Sequence, residues 1–146
     1  MTFYHRPAKL TQMMNGALGW LASLGLTPSH MITLEVKGRR SGRTRSTVMN
    51  IVTYEGVSYA VSPRGESEWV RNVRSAGGAA VIRHRGRRSV RLEEIPVEQR
   101  APVVKKYLAE NAMATKQHFG VDPKAKVAEF EAIAARHPVF RIADAD

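Results

Sequence analysis

The chain has 146 residues, 43% of them hydrophobic, and no linker or low-complexity segment divides it, so the sequence predicts one domain over residues 1–146. Its 23 Lys and Arg residues against 13 Asp and Glu give a formal charge of +10, which favours a polyanionic partner: nucleic acid, an acidic membrane surface or a highly charged small molecule. Cysteine is absent, which excludes disulfides, thiolate metal sites and a cysteine nucleophile.

The first predicted element is an amphipathic helix at residues 9–25. Seven apolar residues recur there at helical spacing: Leu10, Met13, Met14, Ala17, Leu18, Leu21 and Leu24. The Met-rich face favours core packing, because thioethers fill irregular gaps, and contact with a membrane surface is the alternative. Neither a signal-peptide pattern nor an apolar run long enough to span a bilayer is present. We therefore expect a cytoplasmic protein that is membrane-associated only if this helix contacts lipid.

From residue 32 onward the pattern changes to short strands separated by turns and helices. Six runs have strand-like content: residues 32–36, 47–54, 57–62, 79–83, 88–95 and 139–142. Three helical patterns lie between them: residues 68–76, residues 97–111, and a helix beginning at Asp122-Pro123 with Val127, Phe130, Ile133 and Ala134 facing inward. The predicted fold class is α+β, a small antiparallel barrel or sheet with flanking helices.

A glycine-punctuated loop with five cations is the most informative stretch. It reads Lys37-Gly38-Arg39-Arg40-Ser41-Gly42-Arg43-Thr44-Arg45 and is called the basic loop below. Backbone N–H groups exposed by Gly38 and Gly42, the Ser41 hydroxyl and the surrounding guanidinium groups would bind a phosphate or a string of carboxylates. The loop joins two strands and lacks the Lys-Ser/Thr ending of a nucleotide-binding P-loop. A solvated hairpin connection is the alternative interpretation.

A second segment, residues 63–72, strengthens the case for an anionic ligand. Pro63 constrains the backbone, Arg64 adds a cation, and Trp69 and Asn72 lie about one turn apart on the helix that follows. Trp69 alone would more often be a core residue. Together with the basic loop, these residues supply a flat apolar wall, an amide and several cations, as a planar heterocycle with an acidic tail would require.

Hydrolytic and metal-dependent chemistry are not indicated. The sequence contains neither a nucleophile elbow nor a His-Glu-x-x-His motif. The only paired carboxylates, Glu93 and Glu94, are neighbours on a predicted strand and would face opposite sides. The five histidines are scattered, with none four residues from another, so we predict no metal site.

Three motifs, in this order, resemble the deazaflavin-dependent nitroreductase and quinone reductase family. They are Gly38-Arg39-Arg40-Ser41-Gly42-Arg43-Thr44-Arg45 of the basic loop, Tyr59-Ala60-Val61-Ser62-Pro63-Arg64-Gly65, and Trp69-Val70-Arg71-Asn72-Val73-Arg74. The resemblance covers residues 30–95, and the ending at residues 137–142 resembles a subgroup. It implies a split β-barrel that binds coenzyme F420, with FMN as the alternative cofactor.

The resemblance also assigns residues to the cofactor. The phosphate and oligoglutamate tail would meet Arg39, Arg40, Ser41, Gly42 and Arg45. Ser62, Pro63 and Arg64 would line the ring. Trp69 and Asn72 match the motif beside the cofactor, and Arg74 falls where the family often has a basic residue.

The activity that the resemblance implies is hydride transfer from reduced F420 to a small organic acceptor: a quinone, an activated alkene or a nitroaromatic compound. Such a reaction needs no protein nucleophile, because the protein contributes orientation, a dry pocket and stabilisation of developing negative charge. Arg64 is the candidate for that stabilisation. Trp20, Tyr107 and Phe119 are candidates to line the acceptor pocket, and we expect a monomer or a homodimer.

Two alternatives come from other functional classes. A carrier or lipid-binding relative would keep the barrel without redox chemistry. A nucleic-acid-binding module is suggested by the net charge and by five arginines around one predicted hairpin: Arg83, Arg85, Arg87, Arg88 and Arg91. That hairpin lacks the aromatic residues on which single-stranded nucleic acid would stack, so we expect no nucleic-acid partner.

Overall fold

The structure, a computed structural model, describes residues 30–145, without the side chains of residues 112–116. Six antiparallel strands close into a barrel: β1 (Met31–Lys37), β2 (Thr44–Tyr54), β3 (Val57–Val61), β4 (Ala79–Arg83), β5 (Arg87–Glu94) and β6 (Val139–Asp144). Their order around the barrel is β1-β2-β3-β6-β5-β4, and β4 pairs back with β1. The predicted helix at residues 9–25, which includes Trp20, lies outside the described residues.

Three helices accompany the barrel: α1 (Glu68–Ser75), α2 (Ala101–Phe119) and α3 (Val127–Glu131). Two short 3-10 turns, Val97–Gln99 and Ala134–Arg136, precede α2 and follow α3. The predicted α+β class and the antiparallel barrel with flanking helices are confirmed.

The helical segment at residues 97–111 differs from its prediction. A 3-10 turn occupies its start, and α2 then continues beyond the predicted end to Phe119. Asn111 has non-helical dihedral angles (φ −128°, ψ 22°), so the helix contains a kink where its predicted end lay. The Asn111 side chain bridges two neighbours: its Oδ1 accepts from Asn50 at 2.7 Å, and its Nδ2 donates to the Tyr107 carbonyl at 2.9 Å.

The predicted start of the last helix at Asp122-Pro123 is wrong. The Asp122 carboxylate accepts a hydrogen bond from the Lys124 N–H at 2.8 Å, which closes a local turn, and α3 begins only at Val127. Val127 is 39% exposed and does not face the core as predicted. Phe130, Ile133 and Ala134 are buried as predicted.

One hydrophobic core fills the interior of the barrel. Alternate residues of the strands point into it, so Val90 and Leu92 of β5 are buried while Arg91 between them is exposed, as the alternation predicts. Val70 and Val73 of α1 are fully buried in the same cluster. Helix α1 therefore packs its apolar face onto the barrel interior.

A second hydrophobic core lies between the outer face of the barrel and the helices. Val52 and Val61 on the strands pack in one cluster with Val104 and Leu108 of α2 and with Phe130 of α3. These helices therefore cover one side of the barrel.

The strand register defines two ends of the barrel. The basic loop connects β1 to β2 after the Lys37↔Thr44 pair, and the segment between β3 and α1 starts at the same end. We call this the α1 end. The β4–β5 hairpin lies at the opposite end, because Arg83 at its base pairs with Thr33 at the start of β1.

Candidate cofactor-binding site

The backbone of the basic loop is closed by its own hydrogen bonds. The Gly38 N–H donates to the Arg43 carbonyl at 2.7 Å, and the Gly42 N–H donates to the Gly38 carbonyl at 3.0 Å. The expectation that these two glycines expose their N–H groups to an anion is therefore wrong. At the tip of the loop, however, no described residue accepts a hydrogen bond from the N–H of Arg40 or Ser41. Those two groups are the ones left for an anion.

The glycines serve the loop by their conformation and size. Gly42 has a φ of +73°, which residues with a side chain rarely adopt. A Cβ atom at Gly38 would lie 3.1 Å from the Arg43 carbonyl oxygen and 3.2 Å from the Ser41 Oγ. The Ser41 Oγ in turn accepts a hydrogen bond from the Arg43 N–H at 3.2 Å. Two glycines and one serine thus build a tight loop, and Arg40 and Ser41 at its tip are exposed.

Most of the cationic side chains of the loop form no ion pair within the part of the chain that the structure describes. Four of them are exposed and form no ion pair with a carboxylate of the described residues: Lys37, Arg40, Arg43 and Arg45. A surface depression of about 440 Å³ lies against the loop. It is lined by Lys37, Gly38, Arg39, Arg40, Ser41, Gly42, Ser75 and Ala76. This is a concave surface of uncompensated positive charge, which suits a polyanion.

Arg39 also ties the basic loop to α1, and its contact with the anionic tail stays a prediction. Its backbone N–H and its Nη1 donate to the Oδ1 of Asn72, at 3.1 and 2.8 Å. Asn72 is only 5% exposed, so its carbonyl oxygen is fixed in place. Nη1 also contacts the Glu68 carboxylate at 2.7 Å. This hydrogen bond from Arg39 is the main reason why the pKa of Glu68 is lowered.

The segment between β3 and α1, residues 62–67, is held by hydrogen bonds among its own residues. The Ser62 hydroxyl is fully buried, donates to the Gly65 carbonyl at 2.5 Å and lies 3.2 Å from the Ser67 hydroxyl. The Ser62 carbonyl oxygen lies 3.1 Å from Nδ1 of the buried His137. Ser62 therefore shapes the segment from within, whereas Pro63 and Arg64 are half-buried at its surface.

Trp69 packs against the barrel core, and its role as a flat wall for the cofactor stays a prediction. It is half-buried, and its ring centroid lies 5.6 Å from that of Phe140 in the barrel interior, with the rings inclined at 56°. Val70 and Val73 of the same helix are fully buried, so α1 cannot rotate without disrupting the core. The packing of α1 therefore fixes Asn72 beside the basic loop, where it contacts Arg39, and fixes Trp69 against the barrel core.

Arg74 lies between two carboxylates. It donates to both oxygens of Glu66, at 2.5 and 2.9 Å, and to both oxygens of Glu94, each at 2.8 Å. The buried Arg100 also donates to Glu94, at 3.1 Å. We call these four residues the Arg74 network.

The electrostatics of the Arg74 network are those of a structural clamp. Hydrogen bonds that Arg74 donates to Glu94 and Glu66 raise the pKa of Arg74, and the hydrogen bond from Arg74 lowers the pKa of Glu94. The network joins residues 62–67 to β5 and to the start of α2. This geometry favours a positioning role for Arg74; its contact with the cofactor stays a prediction.

Tyr107 and Phe119 lie in the second hydrophobic core. Both are buried, and their ring centroids are 6.1 Å apart. The Phe119 ring also lies 4.3 Å from the His137 ring. Burial raises the pKa of Tyr107. An acceptor could reach these rings only if this core opened, so their part in lining a pocket stays a prediction that their placement does not favour.

The structure adds residues that the motifs did not single out. Lys37 and Arg43 belong to the uncompensated cations, and their signal was present in the charge run itself. Glu68 faces the site because it lies four residues before Asn72, on the same side of α1. Glu66 contacts Arg74, and nothing in the sequence shows that these two residues meet.

The arginine-rich hairpin at the opposite end is partly neutralised. Arg83 and Arg87 both contact the buried carboxylate of Glu35, at 3.2 and 3.1 Å. Arg88 lies 3.5 Å from Asp144. These pairs reduce the positive charge that this hairpin offers to nucleic acid.

Two further findings concern only the part of the chain that the structure describes. No three His, Cys, Asp or Glu side chains lie close enough together to hold a metal ion. No helix there is both long and apolar enough to cross a membrane.

The fold is similar to several solved structures. A protein of unknown function from Agrobacterium tumefaciens is 14% identical, with a TM-score of 0.58, and the match covers 89% of this chain and 55% of that one. A structure described as a domain-swapped dimer is 15% identical over 91% of this chain and 96% of that one, with a TM-score of 0.53. A candidate 5-nitroimidazole antibiotic resistance protein from Bacteroides thetaiotaomicron is 11% identical over 92% and 80%, with a TM-score of 0.52.

These similarities show a shared fold, and the chain spans about half the length of the first of them. Among curated protein sequences, none matches the chain. The sequence model of a family described as F420H(2)-dependent quinone reductase matches residues 7–127. This match confirms the resemblance that the three motifs indicated: the chain belongs to the F420H(2)-dependent quinone reductase family, whose members are oxidoreductases that use coenzyme F420.

Proposed function

We propose that the protein transfers a hydride from F420H2 to a small organic acceptor, which is a quinone, an activated alkene or a nitroaromatic compound. The observation that carries this proposal is the set of uncompensated cations on the basic loop, which Asn72 holds against α1. An oligoglutamate tail with a phosphate is a string of negative charges, and this surface is complementary to it. The family match supports the choice of cofactor.

The basic loop would hold the anionic tail. The N–H groups of Arg40 and Ser41, which no described residue accepts from, would bind it, and charge-assisted hydrogen bonds from the exposed cations would add to them. Arg39 would also meet the tail, and its hydrogen bonds with Asn72 fix the loop against α1. The tail would therefore meet a preorganised site rather than order a mobile one.

The other part of the site would hold the ring. Trp69, packed against Phe140, would offer an apolar face, and Pro63 and Arg64, on the segment before α1, would line the ring with it. When bound, F420H2 supplies the hydride. The residues of the chain would orient the reactants and exclude water, and Arg64 is our candidate to stabilise negative charge that develops on an acceptor oxygen.

A binding titration tests the cofactor assignment. Quenching of F420 fluorescence would be followed for the parent protein and for a Lys37→Gln/Arg40→Gln double variant. The matched control is Arg85→Gln/Arg88→Gln, which removes the same charge at the opposite end of the barrel. We expect the loop variant to raise Kd by at least about tenfold, and the control by less than about twofold. Equal losses in both variants, or no binding by the folded parent protein, would contradict the assignment.

A second measurement tests the redox step. Reduced F420 would be mixed with the protein and with a quinone, an activated alkene or a nitroaromatic compound, and its reoxidation followed by absorbance. We expect turnover with at least one acceptor class. Cofactor binding without turnover on any of them would favour a carrier protein.

A further inference from the structure

A carboxylate of the protein lies within the proposed anion site. Glu68, the first residue of α1, contacts Nη1 of Arg39 through its Oε2 at 2.7 Å. The Glu68 side chain is 62% exposed, so it can leave this contact without breaking any packing. An exposed ion pair of this kind contributes little to folding and is easily exchanged.

Arg39 does not need Glu68 to keep its place. Its backbone N–H and its Nη1 are both held by the Asn72 Oδ1, at 3.1 and 2.8 Å. Asn72 is nearly buried, whereas Glu68 is exposed. The anchor of the basic loop is therefore the Asn72 amide, and the Glu68 carboxylate is an additional, exposed partner of Arg39.

Glu68 also interacts with cations other than Arg39. The hydrogen bond from Arg39 has the largest effect in lowering its pKa, and charge attraction to Arg39, to Arg40 and to Arg71 adds to it. Arg40 belongs to the loop tip and Arg71 to α1 itself. The carboxylate thus lies in the same positive field that an anionic ligand would use.

We propose that Glu68 is a built-in competitor for the anionic ligand, so that it lowers the affinity of the site and makes it selective for polyanions. A single negative charge gains little by displacing Glu68 from Arg39. A ligand with several charges gains the remaining uncompensated cations as well. That the polyanion is the F420 tail rests on the proposed function. The competition between Glu68 and a ligand concerns anions in general.

The variant Glu68→Gln tests this competition, because glutamine keeps the length of the side chain and loses its charge. Glu93→Gln is the matched control, since Glu93 is also an exposed carboxylate paired with an arginine, Arg141, at 2.6 Å on the barrel wall. Two probes would be titrated by calorimetry: F420 and inorganic pyrophosphate. We expect Glu68→Gln to bind both about two- to fivefold more tightly than the parent, and Glu93→Gln to bind both unchanged.

Salt provides a readout that a purely structural role of Glu68 would not move. The gain in affinity should shrink between 0.01 and 0.1 M salt, as the Debye length falls from about 30 Å to about 10 Å. Unchanged or weaker binding of both probes by Glu68→Gln would overturn the proposal, because Glu68 would then be neutral or would be holding Arg39 for the ligand.

The two probes separate this proposal from the proposed function. Tighter binding of pyrophosphate by Glu68→Gln, with no F420 binding by any variant, would sustain the role of Glu68 and overturn the cofactor assignment. Binding of F420 by the parent with no gain in Glu68→Gln would sustain the cofactor assignment and overturn the role of Glu68. Failure of both probes to bind any variant would overturn both.

Discussion

Two groups of cations lie at the α1 end of the barrel, and they differ in what opposes their charge. In the basic loop, four of five cations pair with no described carboxylate. In the Arg74 network, two arginines share two carboxylates. The net charge of a chain therefore does not locate a ligand site. The site is located by the charges that remain without an opposite partner after folding.

The largest effect that distinguishes the two groups should come from Arg100. Its side chain is 8% exposed, and it donates to the Ile95 carbonyl at 3.0 Å and to the Ala134 carbonyl at 3.3 Å, in addition to Glu94. Replacement by methionine would leave buried acceptors without donors. We expect Arg100→Met to lower the free energy of unfolding by about 2–4 kcal/mol, measured by urea denaturation.

The control for Arg100→Met is Arg40→Met in the basic loop. Because Arg40 is exposed and unpaired among the described residues, we expect its replacement to change the unfolding free energy by no more than about 0.5 kcal/mol. Similar losses in the two variants would show that the groups do not differ as the structure indicates.

Asn72 contributes both to stability and to the ligand site, because its buried side chain holds Arg39 of the basic loop in place. We expect Asn72→Ala to cost about 1–2 kcal/mol of unfolding free energy, since Arg39 loses two hydrogen bonds at once. Anion affinity should fall as well, because the loop would no longer be held against α1. Titration with F420 checks this, and an unchanged affinity would show that the loop is held by other contacts.

A substitution at Arg74 tests whether this residue has a structural role or contacts the cofactor. We expect Arg74→Gln to lower the unfolding free energy by about 1 kcal/mol, because its ion pairs with Glu66 and Glu94 are partly exposed and screened by solvent. The Kd for F420 of the folded variant should change by less than about twofold. A tenfold loss of affinity would instead place Arg74 in contact with the cofactor, as the family resemblance implies.

The smallest effect concerns pH. The pKa of Glu94 lies below its ordinary value of 4.5, so the stability that its pairing provides is present above that pH and is lost as the pH falls through the lowered pKa. We expect the difference in unfolding free energy between the parent and Arg74→Gln to be constant from pH 7 to pH 5 and to shrink below pH 4.5. Urea denaturation at several pH values measures it. A difference that grew on acidification would contradict the pairing.

The sequence was sufficient where the signal is local. Strand β4 coincides with the predicted residues 79–83, because β-branched residues and glycines mark its limits. The alternation around Arg91 placed Val90 and Leu92 in the barrel interior. The basic loop and α1 were predicted next to each other only through the family resemblance.

The sequence was insufficient where the partner is distant. The glycines of the basic loop predicted N–H groups exposed to an anion, but hydrogen bonds within the loop use the N–H groups of both Gly38 and Gly42. Arg39 meets Asn72, and Arg74 meets Glu94, across the fold of the chain. Which cation is neutralised and which stays free depends on such contacts, so the motifs could name the loop but not divide its residues by role.

The most direct test of the account is to observe the loop tip while the ligand binds. Backbone amide signals would be recorded by NMR with isotope-labelled protein during a titration with F420. We predict that the amides of Arg40 and Ser41 shift most, and that those of the β4–β5 hairpin stay in place. Large shifts at the hairpin, with none at the loop tip, would contradict the claim that uncompensated charge on the basic loop makes the site.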